Sequence, residues 1–186
     1  MRAYAYIVET ANRPGDALSD VARSVGFEGT APFSGLSQAA HQLAHTPICF
    51  FLFAATKNLS PYRQVADSIR FSANRRLRFS PMIYFTDAAS AEEIGACINM
   101  GFDDIITMPF SRQRVIDRLA RQIGTPLTYY ETASYFGPDR RGRGQLPDRG
   151  ADTRLSMGGQ HRRIEIVRHI STGVSVLSDS RHVETV

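Results

Sequence analysis

The sequence predicts an α/β protein: a five-stranded parallel sheet, doubly wound by helices, with a largely irregular C-terminal extension. Three observations predict it. Short apolar runs alternate with helical periodicities five times within residues 1–124, and such alternation gives a parallel sheet with helices on both faces and right-handed crossovers. Residues 48–53 (I-C-F-F-L-F) are apolar at every position, as in a strand covered on both sides. After Gly124 the texture changes, so the chain divides into 1–124 and a glycine- and arginine-rich stretch, 125–186.

The elements follow in order. Residues 3–8 (A-Y-A-Y-I-V) form the first apolar run, and Pro14-Gly15-Asp16 opens a helix whose Leu18, Val21, Ala22 and Val25 share one face before Gly26 stops it. A weak strand at 29–31 leads to a helix with Leu36, Ala39, Ala40 and Leu43 on one side. After the third strand, Pro61 introduces a helix carrying Val65 and Ile69 with an arginine-rich end. Residues 81–86 (P-M-I-Y-F-T) are the fourth strand, and Glu92 and Glu93 then occupy a first helical turn, where the helix dipole favours carboxylates. Residues 105–107 are the fifth strand, and Val115, Ile116, Leu119 and Ile123 mark a closing helix.

With 186 residues, 42% hydrophobic and 22% charged, the chain can bury a substantial core. No apolar run is long enough to span a bilayer and the N-terminus has no signal-peptide profile, so a cytoplasmic protein without membrane insertion is expected. Cys49 and Cys97 lie in apolar segments without metal-like spacing and read as buried free thiols. The five histidines show no ligand spacing either, so neither metal nor cofactor is expected. Net charge is +4, and Lys57 is the only lysine among 22 basic residues; arginine permits forked contacts to carboxylate or phosphate.

In a doubly wound sheet, sites form beyond the carboxyl ends of the strands. The last of those ends carries the most informative stretch, Gly101-Phe102-Asp103-Asp104-Ile105-Ile106-Thr107-Met108-Pro109-Phe110. It resembles the last strand of a bacterial response-regulator receiver domain, which reads roughly G-A-D-D-Y-I-T-K-P-F. The resemblance covers residues 1–124 and implies a flavodoxin-like sheet of order 2-1-3-4-5. Receivers hold magnesium on an acidic pair after the first strand and accept a phosphoryl group on an aspartate after the third. A lysine after the fifth strand balances the charge, because phosphoryl transfer is mostly positioning and neutralisation of charge on oxygen.

Carried over residue by residue, the match implies loss of that chemistry. The acidic pair is Glu9-Thr10, leaving Glu9 as a weak remnant of a metal site; the phosphoacceptor position is Phe53; the lysine position is Met108. The hydroxyl after the fourth strand is kept as Thr86, and the aromatic switch position of the fifth strand is Ile105. Pro109 matches the family's cis-proline, so Met108-Pro109 is expected to be cis. Phe53 and Met108 are expected to close the former pocket together. Asp103-Asp104 reads as a turn cap remote from that pocket.

Residues 136–159 hold six glycines, two prolines and five arginines, a composition expected to be extended or disordered. The motif Phe136-Gly137-Pro138-Asp139-Arg140-Arg141 is similar to an extension found after receiver-like domains in alphaproteobacteria. With Tyr135 it reads either as a docking element, aromatics and arginines being frequent hot-spot residues, or as aromatics folded back on their own domain. Residues 164–177 regain apolar content and fit a docking strand or a helical turn equally well.

The resulting expectation is a non-catalytic pseudo-receiver, an adaptor or scaffold in two-component signalling that needs no aspartyl phosphorylation. The resemblance implies as partner another signalling protein, such as a histidine kinase or a response regulator, or a second copy in a homodimer. The face that receivers commonly use carries Glu92, Glu93, Asn99, Arg112, Arg114 and Arg118. The alternatives are a phosphorylatable response regulator with a displaced site and a nucleic-acid-binding adaptor using the arginine-rich tail. Asp139, Asp148 and Asp152 interleave those arginines and argue against nucleic acid.

Overall fold

Strands β1 (Tyr4–Val8), β2 (Gly29–Pro32), β3 (Cys49–Phe53), β4 (Met82–Thr86) and β5 (Asp104–Thr107) lie parallel in the order β2-β1-β3-β4-β5. They are seen in a computed structural model that describes residues 2–10, 16–88, 90–139 and 160–182. This is the sheet order the sequence predicts. Helices α1 (Asp16–Val25), α2 (Leu36–Gln42), α3 (Ser60–Arg70), the single-turn α4 (Arg75–Arg78), α5 (Ala91–Asn99) and α6 (Arg112–Ala120) connect and cover the strands.

Successive strand side chains point to opposite faces, so the apolar runs split into two cores. Tyr6, Phe51, Phe53, Met82 and Tyr84 pack against Ala39, Tyr62, Ala66, Ile69 and Cys97. On the other face Ile7, Phe50, Leu52, Ile83 and Phe85 meet Leu18, Ala22, Val115 and Leu119. Both cysteines are free and buried, and burial pushes the Cys49 thiol up to about 12. Short polar caps fix the helix starts: the Asn74 side chain accepts from the Arg76 and Leu77 amides, and Ser90 and Glu93 form a capping box on α5.

The extension adds a second sheet to what the sequence predicts. Strands β6 (Pro126–Glu131), β7 (Phe136–Pro138), β8 (His161–His169) and β9 (Gly173–His182) form an antiparallel sheet in the order β7-β6-β8-β9, with a bulge between Glu165 and Ile166. The segment left open between strand and helical turn is therefore part of a β-hairpin. Leu127, Tyr129, Phe136, Ile164 and Ile166 turn inward and bury their apolar surface on Phe79. Of the stretch 136–159 expected to be extended or disordered, 136–138 form the strand β7, and 140–159 lie outside the described residues.

The second sheet docks at the end of the first sheet opposite the strand carboxyl ends. There Arg168 Nε donates to the Phe79 carbonyl at 2.7 Å, and the Gly124 amide donates to the Arg168 carbonyl at 2.9 Å. The backbones touch at Gly101, which has φ +76°, and a Cβ there would collide with the Phe136 carbonyl. Gly101→Ala should therefore cost about 1–3 kcal/mol from the left-handed backbone alone, with the clash added. A urea midpoint equal to that of the parent chain would show that the seam yields without loss.

Asp103 sits at this seam and is the centre of a buried ion cluster, a role the sequence did not reveal. Its carboxylate accepts from Arg70 Nη2 at 2.6 Å, Arg168 Nη2 at 2.8 Å, the Met82 amide at 2.8 Å and the Tyr129 hydroxyl. Arg70 spends its remaining donors on the carbonyls of Gly101, Arg78 and Ser80. Burial by itself would raise the Asp103 carboxyl, but Arg168 and Arg70 hold it well below the usual carboxylate range. The same burial pushes the Tyr129 hydroxyl up.

Candidate functional site

The carboxyl ends of β1, β3, β4 and β5 meet where a receiver would carry its phosphorylation site. At the β3 end, Phe53 is fully buried. Its ring packs edge-on against Tyr62, with centroids 5.2 Å apart, and against Phe102 at 4.6 Å. Tyr62 reaches from α3 across the strand ends, and its hydroxyl donates to the Ala54 carbonyl at 2.9 Å, with the Val8 carbonyl 3.3 Å away. Tyr84 stands in the middle of β4, beside Phe53 of β3; its hydroxyl donates to Glu93 Oε1 at 2.7 Å and lies 3.4 Å from the Thr56 amide. Burial first, and then the hydrogen bond to Glu93, push the Tyr84 hydroxyl well above the usual phenol range.

Thr86 is buried at the strand end, and its hydroxyl donates to Glu93 Oε1 at 3.3 Å. Glu93 therefore serves two purposes, closing the cap of α5 and collecting two hydroxyls. Ile105 is half-buried and joins the core beneath the helices. The Met108-Pro109 bond is cis, as expected.

Met108 departs from expectation. Its side chain is 48% exposed, so it does not close the pocket with Phe53. The tyrosines close it instead. Only the length and polar tip of a tyrosine can fill an apolar gap and still satisfy carbonyls at a strand end. Pro61-Tyr62 and the tyrosine within the fourth apolar run are the sequence signals for this closure, and nothing in their spacing separates them from ordinary core positions.

The donor set does not fit magnesium, which demands several oxygen ligands in near-octahedral array. Glu9 is exposed and Thr10 half-exposed, Phe53 offers no oxygen, and the Ala54 carbonyl already accepts from Tyr62. Among the described residues no group of three or more His, Cys, Asp or Glu side chains is placed to hold a metal ion.

The other candidate residues are more dispersed. Phe136 and Pro138 are buried, Phe136 being stacked on Tyr129 at 5.4 Å and covered by the Arg78 guanidinium at 4.0 Å. The Tyr135 hydroxyl donates to the Pro138 carbonyl at 3.4 Å, and the Asp139 amide donates to the Thr128 carbonyl at 2.7 Å. This is the fold-back arrangement, so Phe136 and Pro138 are not exposed docking anchors. Arg140 and Arg141 lie outside the described residues. Arg118 forks onto Asp104 and also donates to the Ile105 carbonyl at 3.0 Å, Arg112 Nε donates to the Ser24 carbonyl at 2.6 Å, and Arg114 is exposed.

No protein-family model matches the sequence, and no curated protein matches it either. Among solved structures the chain is similar to the receiver domain of a sensor histidine kinase from Pseudomonas aeruginosa PAO1. That match has 20% identity, covers 63% of this chain and 94% of that one, and has a TM-score of 0.48. A CheY-like protein (tadZ) from the same organism matches at 18% identity over 63% of this chain and 98% of that one, with a TM-score of 0.48. A response regulator from Desulfuromonas acetoxidans matches at 19% identity over 63% and 94%, with a TM-score of 0.43. No helix of the described residues is long and apolar enough to cross a membrane.

Proposed function

We propose that the chain is a receiver-like signalling adaptor that works through protein contacts and takes no phosphoryl group. The observation that carries this reading is Phe53, fully buried at the phosphoacceptor position with the Tyr62 hydroxyl bonded over the strand ends. An acyl phosphate needs a carboxylate in the open, a counter-charge and a metal. This site offers an aromatic plug, a methionine in place of the lysine, and two exposed carboxylates, Glu9 and Asp87, on different strand ends. Without a phosphoryl switch, the contact surface is expected to be present constitutively. The exposed Arg114 on α6, beside Arg112, belongs to the face receivers commonly use and is the surface to test first.

Incubating the full chain with magnesium and acetyl phosphate should leave its mass unchanged, and magnesium with beryllofluoride should leave the amide resonances at 53–56, 86–88 and 107–110 in place. A mass gain of one phosphoryl group, mapped to any carboxylate at these strand ends, would replace this reading with that of a displaced phosphorylation site.

A further inference from the structure

A cleft of about 260 Å³ opens between α4 and the outer part of the β8–β9 hairpin, far from the strand ends described above. Its wall carries three guanidinium groups, Arg75, Arg78 and Arg162, against a single carboxylate, Asp179. The floor is apolar, made by Phe79, Ile164 and Val176. Two of the arginines are held in place by acids. Arg162 forks onto Asp179 at 2.6 and 2.5 Å and reaches Glu131 at 3.1 Å, while Arg78 pairs with the other Glu131 oxygen.

Arg75 has no ion-pair partner among the described residues and is exposed at the mouth. Its charge is the part of the cleft's positive field that no acid among the described residues offsets. Ser72 sits on the same wall and accepts from the Asn74 amide at 3.1 Å, which leaves its hydroxyl proton to donate. Arg78 is held by Glu131 and by the Phe136 ring, and its buried Nε has no hydrogen-bond partner, so it adds fixed positive charge to the wall. Concave apolar surface with a few convergent polar groups is the ordinary form of a small-molecule site, and guanidinium groups recognise carboxylate and phosphate oxygens.

We propose that this cleft binds a small organic anion: a carboxylate or phosphate group facing Arg75 and Ser72, carried on a compact apolar body that rests on Phe79, Ile164 and Val176. The cavity is too small for a large cofactor, and a free inorganic ion would leave the apolar floor uncovered. Because α4 belongs to the first sheet's connections and the hairpin to the second sheet, a bound anion would bridge the two.

Phenyl phosphate is a suitable probe, titrated into the full chain and followed by NMR at the Val176 methyls and the Arg75 side chain. Saturable shifts at both positions are expected, weakening about tenfold or more in Arg75→Ala, as for loss of a charge-assisted contact, and weakening with added salt. The melting temperature of Arg75→Ala should match the parent, since the side chain is exposed. Benzyl alcohol, which lacks the charge, should give no saturation. The proposal is overturned if phenyl phosphate leaves the Val176 methyls unmoved, if Arg75→Ala binds it as tightly as the parent, or if inorganic phosphate binds equally well.

Discussion

Arg168→Met should destabilise the protein by about 3–5 kcal/mol, the usual loss when one partner of a buried ion pair is removed, and a chain ending at Gly124 should lose more. Arg168 is fully buried and bonds at once to Asp103, Tyr129, Phe79 and Gln122. Methionine would leave the Asp103 carboxylate and the Phe79 carbonyl short of a donor at a buried position. The truncated chain would in addition strip Leu127, Tyr129 and Phe136 from Phe79. Residues 1–124, expected from sequence to stand alone, should therefore do so poorly. Urea denaturation read by circular dichroism separates the outcomes; a truncated chain as stable as the parent would mean that the second sheet is merely attached.

The same cluster sets an acid limit. The folded Asp103 carboxyl lies below its unfolded value of about 3.9, so its contribution is fully present above that value and fades as pH falls through the folded pKa. Stability should begin to drop as pH falls below roughly 4, and this share of the drop should be missing in Asp103→Asn, at a lower starting stability.

The first sheet was legible because a strand buried on both faces is a near-continuous apolar run, as Cys49–Phe53 is throughout and Met82–Thr86 is up to its last residue. The second was not, because β6 (P-L-T-Y-Y-E) has a single aliphatic, β8 opens on His161, Arg162 and Arg163, and β9 mixes valines with serines. The register that matters there, Leu127 opposite Ile166, joins residues far apart in the chain. Asp103 carried a misleading signal: an Asp-Asp pair before a strand fits a turn cap, and its meaning depends on Arg70 and Arg168 arriving from elsewhere. At the strand ends the apolar character of Phe53 and Met108 could be read directly. What fills the space could not, because the hydroxyls of Tyr62 and Tyr84 acquire acceptors only once α3 and α5 are packed.

Phe53→Asp combined with Met108→Lys restores the two charged groups of a receiver and should unfold the protein rather than activate it. Met108 is half exposed, so a lysine there is tolerated. Phe53 is not: its ring touches Tyr62 and Phe102 inside the largest aromatic cluster of the core. Removing a buried phenylalanine costs about 3–5 kcal/mol, and a carboxylate left there without a partner adds a desolvation penalty. The introduced acid would face Tyr62, whose hydroxyl is already bonded to Ala54, while the lysine would start from solvent. The sum is comparable to the whole stability of a typical domain, about 5–15 kcal/mol. Phe53→Leu is the control, expected to lose only a fraction of that, because it keeps the site apolar. A double variant that melts with the parent and gains one phosphoryl mass from acetyl phosphate would show that the aromatic plug can be displaced and that the receiver chemistry was two substitutions away.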